Sequence, residues 1–218
     1  MSEAAAAAPG PSQNPFESAR YRRWAVASMI AGTGVGIQTV TVPLFIRDRV
    51  DLDDRALAIS AALIATTLPG ACFALFGGAA ADRVEPRFIL MRAYAVAATV
   101  SLLYVGLCVA EFAEIWPVFP LAAVVGSVGG FTNPARQSML PQLVSRAALQ
   151  NGVIFGTMGF MATLQFVGPS VGGLLKDAFG LAVAFSAEVV LLLAGAVAFA
   201  GVRTTPPPPR DRNVLGDL

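Results

Sequence analysis

Hydrophobic residues form six long runs along this chain, and short polar or charged segments separate them. The runs lie at about 24–46, 56–81, 88–110, 116–133, 150–175 and 181–202. A helix of about 20 residues crosses the ~30 Å apolar core of a bilayer, so each run is long enough to span a membrane. The pattern predicts an all-α integral membrane protein with six transmembrane helices.

The two ends of the chain differ from the runs. Residues 1–19 include five consecutive alanines followed by proline, glycine and polar residues, which predicts a disordered tail. Residues 203–218 contain Pro206–Pro209, and consecutive prolines favour a stiff polyproline II segment. We therefore expect a bundle at 20–202 between a disordered tail and a Pro-rich linker.

The composition supports a membrane protein and excludes several kinds of chemistry. Only 13% of the residues are charged and the mean hydropathy is +0.66, whereas a soluble domain carries about 25% charged residues. The absence of histidine excludes catalytic triads with a His base, His-ligated metals and His proton relays. Cys72 and Cys108 lie within hydrophobic runs, which favours buried free thiols. We expect no enzymatic activity, metal, cofactor or nucleic-acid partner.

The basic residues predict the orientation in the membrane. If the six runs are spans, eleven of the 15 Lys and Arg residues lie on the side of the N-terminus and four on the other side. Cytoplasmic segments of membrane proteins carry the excess of Lys and Arg. The distribution predicts a multi-pass protein of the cell (inner) membrane with both termini in the cytoplasm.

A short charged hairpin is predicted between the second and third runs. It contains the pattern Gly78-x-x-x-Asp82-Arg83-x-x-x-Arg87, in which a glycine precedes the ionic residues. This pattern resembles the loop 2–3 signature of the major facilitator superfamily of secondary transporters. The resemblance implies that Gly78, Asp82, Arg83 and Arg87 form a gating motif, in which the aspartate meets a helix end of a C-terminal half.

Two further stretches extend the resemblance to most of the chain. The segment from Asn133 to Val144 resembles the connection between spans 4 and 5 in the branch that includes the enterobactin exporter and macrolide and multidrug efflux proteins. Gly168-Pro169-Ser170-Val171-Gly172-Gly173 resembles the core of a span 5 signature of antiporters. The upstream glycines of that signature are replaced here by Phe155 and Leu164. The predicted motif residues of span 5 are Gly168, Pro169, Gly172 and Gly173.

Family members have twelve spans, so the resemblance implies that this chain is an N-terminal six-helix half. It also implies an inverted repeat of three plus three helices. A short motif of two glycines and an aspartate occurs twice and fits such a repeat. Its first copy is Gly77, Gly78 and Asp82, and its second copy, 95 residues later, is Gly172, Gly173 and Asp177. Coincidence in a chain with 21 glycines is the alternative explanation.

Four polar residues within or next to the spans are candidates for substrate binding or coupling. Gln38 and Gln165 would either face the central cavity of the fold that the resemblance implies or form hydrogen bonds to neighbouring helices. Arg136 would either contact an anionic substrate or lipid phosphate or be an ordinary cytoplasmic arginine. Glu188 is the only acid well inside a run. It is either a protonatable coupling site or cation contact, or an acid near the outer interface.

These features predict a secondary active transporter that exports small, largely apolar molecules, with proton coupling implied by the resemblance. Its expected partners are the lipid bilayer, a small-molecule substrate and either a second six-helix half or another copy of the chain. The alternative is a membrane protein that does not transport, either a truncated remnant or a subunit that assembles with a second half.

Overall fold

The computed structural model describes residues 13–81 and 84–202, and the described part contains helices and no strand. Its α-helices are α1 (Ala19–Arg47), α2 (Leu52–Ala81), α3 (Pro86–Val109), α4 (Val118–Leu143), α5 (Leu149–Ala162), α6 (Gly168–Phe179) and α7 (Leu181–Ala200). α5 and α6 are two parts of one membrane-crossing segment, here called the fifth span. Six segments of the described chain are long and apolar enough to cross a membrane, which confirms the predicted fold class.

The spans alternate in direction, so the bundle has two ends. The end at which α1 begins, α4 reaches Leu143 and α7 reaches Ala200 is here called the amino-terminal side. The other end, where α1 reaches Arg47 and α7 begins, is the opposite side. One buried core that includes Trp24, Leu90 and Phe199 lies towards the amino-terminal side, and a second that includes Phe45, Val118 and Phe185 lies towards the opposite side.

The helix pairs show the symmetry of the predicted inverted repeat. The principal pairs are α2 with α4, α4 with α3, α3 with α7, α7 with α1, and α1 with the fifth span. Exchanging the first three spans with the last three turns the α2–α4 pair into the pair of the fifth span and α1. The same exchange turns the α3–α4 pair into the α7–α1 pair and leaves the α3–α7 pair unchanged. The packing is therefore that of a three-plus-three repeat.

Glycines at equivalent positions make the two outer pairs possible. On α4, a Cβ atom placed on Gly130 would lie 2.7 Å from the Gly70 carbonyl oxygen of α2. On α1, a Cβ placed on Gly36 would lie 2.6 Å from the Leu164 carbonyl oxygen of the fifth span. Gly36 and Gly130 are 94 residues apart, close to the 95 residues that separate the two copies of the glycine–aspartate motif. Bare backbone at these positions lets the helices approach closely.

Helix α4 is longer than the sequence indicates. The predicted span ends near Asn133, whereas α4 continues through Pro134 and Pro141 to Leu143. Pro134 has no N–H for the Gly130 carbonyl, and a Cβ placed on Gly77 of α2 would lie against that carbonyl oxygen. The helix nevertheless continues past both prolines.

The chain also becomes ordered earlier than predicted. Residues 13–19 were expected to belong to a disordered tail, but a 3-10 turn at Pro15–Glu17 leads directly into α1. The Phe16 ring packs at 5.3 Å from that of Tyr21 and at 5.7 Å from that of Phe155. Ser18 donates a hydrogen bond of 2.7 Å to the Leu143 carbonyl. This segment therefore joins α1 to α4 and α5, while residues 1–12 and 203–218 lie outside the described part.

The fifth span contains a local change of helix type. Residues Thr163–Val167 form a π-helical turn between α5 and α6. Pro169 lies two residues after the turn and cannot donate to the Gln165 carbonyl, which is the kind of defect that accompanies π turns. The change of helix type therefore lies just before Pro169.

Candidate functional site

A cavity of about 310 Å³ lies between α1, α2, α3 and α4 in the opposite-side half of the bundle. Its walls are mainly aliphatic, and its polar groups come from Gln38, Thr39, Thr66 and Tyr104. The hydroxyls of Thr39 and Thr66 donate to carbonyls of their own helices at 2.7 and 2.9 Å. They therefore present only acceptor lone pairs to a guest. An apolar space with a few fixed polar groups is typical of a small-molecule site.

The two candidate glutamines occupy different places. Gln38 lines the cavity, and its side-chain amide has no hydrogen-bond partner among the described residues. Gln165 lies in the π-helical turn of the fifth span and is exposed. Gln38 is thus the cavity's uncommitted donor and acceptor, whereas Gln165 faces away from the described bundle.

Glu188 is fully buried between α7 and α3. Its Oε1 atom lies 2.6 Å from the Ser101 hydroxyl oxygen of α3. Its Oε2 atom has no partner among the described residues. Glu188 does not line the cavity, and an aromatic wall separates the two.

That wall consists of the stacked rings of Tyr104 and Phe185. The Tyr104 ring stacks on the Phe185 ring with a centroid distance of 4.9 Å and an angle of 7°, while the side chain also lines the cavity. Ser101 and Tyr104 lie one turn apart on α3, as Phe185 and Glu188 do on α7. The two helices therefore form adjacent contacts, one polar and one aromatic, and the aromatic contact borders the cavity.

Arg136 is a buried cation near the end of α4. Its exposed fraction is 5%, and its guanidinium carbon lies 3.4 Å from the centroid of the Phe160 ring in α5. Its hydrogen bond to Asn133 Oδ1 is long, at 3.4 Å. No carboxylate forms an ion pair with it within the described ranges. Phe160 therefore provides the principal stabilising contact.

The charged hairpin is described only in part, because Asp82 and Arg83 lie outside the described residues. At its start, no described atom lies within 4 Å of a Cβ placed on Gly78. At its end, Arg87 Nε lies 2.7 Å from Glu85 Oε1, and the guanidinium lies over the Phe88 ring. Arg87 is thus already engaged by Glu85.

The glycines of the span 5 motif divide into two kinds. Gly168 and Gly172 pack against Gly36 and Ile37 of α1, whereas no described atom lies within 4 Å of a Cβ on Gly173. Pro169 lies in the first turn of α6, after the π turn. The motif therefore combines a helix–helix contact with a free face.

Comparison with known proteins identifies the fold family. Residues 11–212 match the model of the transmembrane secretion effector family, MFS_3. The chain belongs to the major facilitator superfamily. It is thus a multi-pass membrane protein of a transporter family, and the resemblance inferred from the motifs is confirmed.

The curated relatives are longer than this major facilitator chain. The multidrug resistance protein MdtG of Proteus mirabilis (strain HI4320) is 27% identical over 186 residues, which are 84% of this chain and 44% of the relative. MdtG of Dickeya zeae (strain Ech586) is 32% identical over 142 residues, which are 64% of this chain and 33% of the relative. The chain therefore spans less than half the length of these relatives. No solved structure gives a significant match.

Sequence reasoning missed Ser101, Tyr104 and Thr66, although one signal was available. Ser101 and Tyr104 are a polar pair at a spacing of one helical turn within the third hydrophobic run. Such a pair marks a helix face that meets other polar groups. Glu188 was noticed because it is charged, but its separation of 87 positions from Ser101 hides the contact.

Proposed function

We propose that this chain is the N-terminal half of a secondary transporter that exports small, largely apolar molecules. The cavity between α1, α2, α3 and α4 carries this proposal, because it is aliphatic and contains an unpaired amide at Gln38. In this reading the aliphatic wall accepts varied apolar substrates and Gln38 orients their polar group. The names of the MdtG relatives support efflux of drugs, and the superfamily supports a transporter rather than a membrane enzyme.

A second six-helix half is the proposed partner. Only 6% of the most hydrophobic stretch of α2 is buried and only 17% of that of the fifth span, compared with 44% in α1 and α3. These two spans lie at the ends of the packing order, so one face of each lacks a helix neighbour. The matched part is 44% of each of two MdtG relatives, so more than half of each relative lies outside it. We propose that this additional half covers α2 and the fifth span.

The alternative is that the uncovered spans serve assembly without transport. The same exposed faces favour it, since two copies of this chain could cover each other. Cysteines introduced at exposed Leu68 and Phe166 would report it: efficient crosslinking between copies in membranes supports the assembly subunit. Crosslinking to a second half alone supports the transporter.

Proton exchange as the driving force, location in the inner membrane and a cytoplasmic amino-terminal side are further parts of the proposal. The excess of arginines on the amino-terminal side supports the orientation. Reporter tags at Met1 and Leu218 should both be found in the cytoplasm. Tags on different sides would exclude an arrangement with six complete spans.

The central experiment measures binding of rhodamine 6G to the purified chain in lipid nanodiscs by fluorescence anisotropy. Leu63→Trp narrows the cavity from α2 and should weaken binding at least several-fold. Leu57→Trp is the matched control, because it is an equally exposed leucine of α2 outside the cavity. Equal binding by both variants would remove the cavity as the substrate site.

Export is then measured in cells that make the chain with and without a second half, and export is expected only with it.

A further inference from the structure

The contact between Ser101 and Glu188 contains more acceptors than one hydroxyl can serve. Ser101 Oγ lies 2.6 Å from Glu188 Oε1 and 3.0 Å from the Ala97 carbonyl oxygen. A serine hydroxyl donates one proton, so it bonds either to Ala97 or to Glu188. A carboxylate at Glu188 would leave the Ala97 bond unmade and the Oε2 atom without a donor. A neutral carboxyl resolves the first conflict, because its O–H donates to Ser101 Oγ while Ser101 donates to Ala97.

The surroundings of Glu188 favour the same proton. Residues 24–46 of α1 and 93–110 of α3 contain no charged residue, so neither helix offers a cation at this level. From α3, the titratable group that faces Glu188 is the Tyr104 hydroxyl, which donates to the Val118 carbonyl. From α6, Lys176 and Asp177 pair with each other at 3.3 Å near the opposite side. A fully buried carboxylate without a cationic partner is strongly unfavourable.

We propose that Glu188 is a proton-binding site within the α3–α7 interface, outside the substrate cavity, and that this conformation is the protonated one. The carboxyl O–H bonds to Ser101 and joins α3 to α7. Release of the proton leaves a carboxylate that requires water, so α3 and α7 separate at this level and the proton passes to that water. Protonation thus selects between two packings of the same helix pair.

This site would reach the substrate cavity through Tyr104. Separation of α3 from α7 disturbs the stack of Tyr104 on Phe185, and Tyr104 is part of the cavity wall. Proton and substrate would then be coupled by helix packing instead of competing for one position. This coupling rests on the proposed transport function, whereas the protonation of Glu188 does not.

Infrared spectroscopy of the purified chain in nanodiscs tests the protonation directly. The carbonyl stretch of a neutral carboxyl is separate from carboxylate bands, and exposed acids are ionised at neutral pH. We expect a neutral-carboxyl band at neutral pH that is absent in Glu188→Gln. Ser101→Ala should shift the band to higher frequency by removing its acceptor. Ser186→Ala should leave it unchanged, because among the described residues that exposed serine of α7 bonds only to the Ala182 carbonyl. Identical neutral-pH spectra for wild type and Glu188→Gln would overturn the proposal.

Hydrogen exchange over a pH series tests the second part. As the band disappears at higher pH, exchange of the amides around Ser101 and Glu188, corrected for the rise of the intrinsic exchange rate with pH, should increase in the wild type and stay constant in Glu188→Gln. Loss of the band without faster exchange would refute helix separation. In the assembled transporter, Glu188→Gln should abolish the dependence of export on a proton gradient while rhodamine 6G binding is retained. A protonated Glu188 in a chain that never exports would instead contradict only the transport function.

Discussion

Gly36 on α1 and Gly168 in the fifth span meet so closely that neither position has room for a side chain. A Cβ on Gly36 would lie 2.9 Å from the Gly168 Cα, and a Cβ on Gly168 would lie 2.6 Å from the Gly36 Cα. Both groups are backbone atoms of packed helices, which cannot rotate away as a flexible side chain could. The contact therefore depends on glycine at both positions.

Gly36→Ala should destabilise the bundle by about 1–3 kcal/mol, because overpacking forces α1 and the fifth span apart. Thermal unfolding in detergent, followed by tryptophan fluorescence, measures the change. Gly173→Ala is the control in the same bundle, since no described atom lies within 4 Å of its Cβ. A loss of stability as large in Gly173→Ala would show that glycine content, rather than this contact, matters.

The symmetry-related pair predicts the same pattern on the other side of the bundle. Gly130→Ala places a methyl group against the α2 backbone and should destabilise by about 1–3 kcal/mol. Gly129→Ala, one residue earlier on α4, meets open space and should be neutral or stabilising by up to about 1 kcal/mol, because alanine favours the helix. Denaturation midpoints in mild detergent compare the two variants. Equal midpoints would mean that α2 does not pack on α4 through Gly130.

The sequence predicted the parts of this fold that depend on local patterns. Six apolar runs and the glycines of the span 5 motif are visible in short windows. The end of α4 was missed because Pro134 and Arg136 are typical of a loop, whereas both lie within the helix and Arg136 stacks on Phe160 of α5. The cavity and the partner of Glu188 depend on which helices are neighbours, and that information is absent from any single run.

The stacking of Arg136 on Phe160 should be measurable as a pairwise energy. Arg136→Lys keeps the charge but loses the planar contact, so a double-mutant cycle with Phe160→Leu should give a coupling of about 0.5–2 kcal/mol. Unfolding free energies of the four proteins supply the cycle. The Arg87–Phe88 pair is the control, because its distance is 4.7 Å and both side chains are partly exposed. A coupling no larger than that of the control would show that Phe160 does not hold the buried cation.

The ordered segment before α1 predicts a role for Ser18. Its hydroxyl oxygen accepts from the Tyr21 amide at 3.3 Å and donates to the Leu143 carbonyl at 2.7 Å. Ser18→Ala removes a helix cap and a link to α4, and should cost about 0.5–2 kcal/mol of unfolding free energy. Ser138→Ala, which loses only a bond within α4, should cost less. The order of the two unfolding temperatures decides whether the segment is tied to the bundle.

The unpaired amide of Gln38 predicts an effect on selectivity that its aliphatic neighbours should not have. Gln38→Leu removes the cavity's uncommitted hydrogen-bonding group while keeping a similar volume. A probe with a hydroxyl or amide group should bind about 2- to 13-fold more weakly, which corresponds to one hydrogen bond of 0.5–1.5 kcal/mol. A matched probe in which that group is replaced by methyl should bind at least as well as before.

Titration of both probes against nanodisc-embedded protein measures the ratio of affinities, and Gln165→Leu is the control because that exposed amide lies outside the cavity. If Gln38→Leu and Gln165→Leu changed the ratio of affinities equally, the effect would come from the lipid-facing surface of the protein. The cavity would then not be the site that orients a substrate.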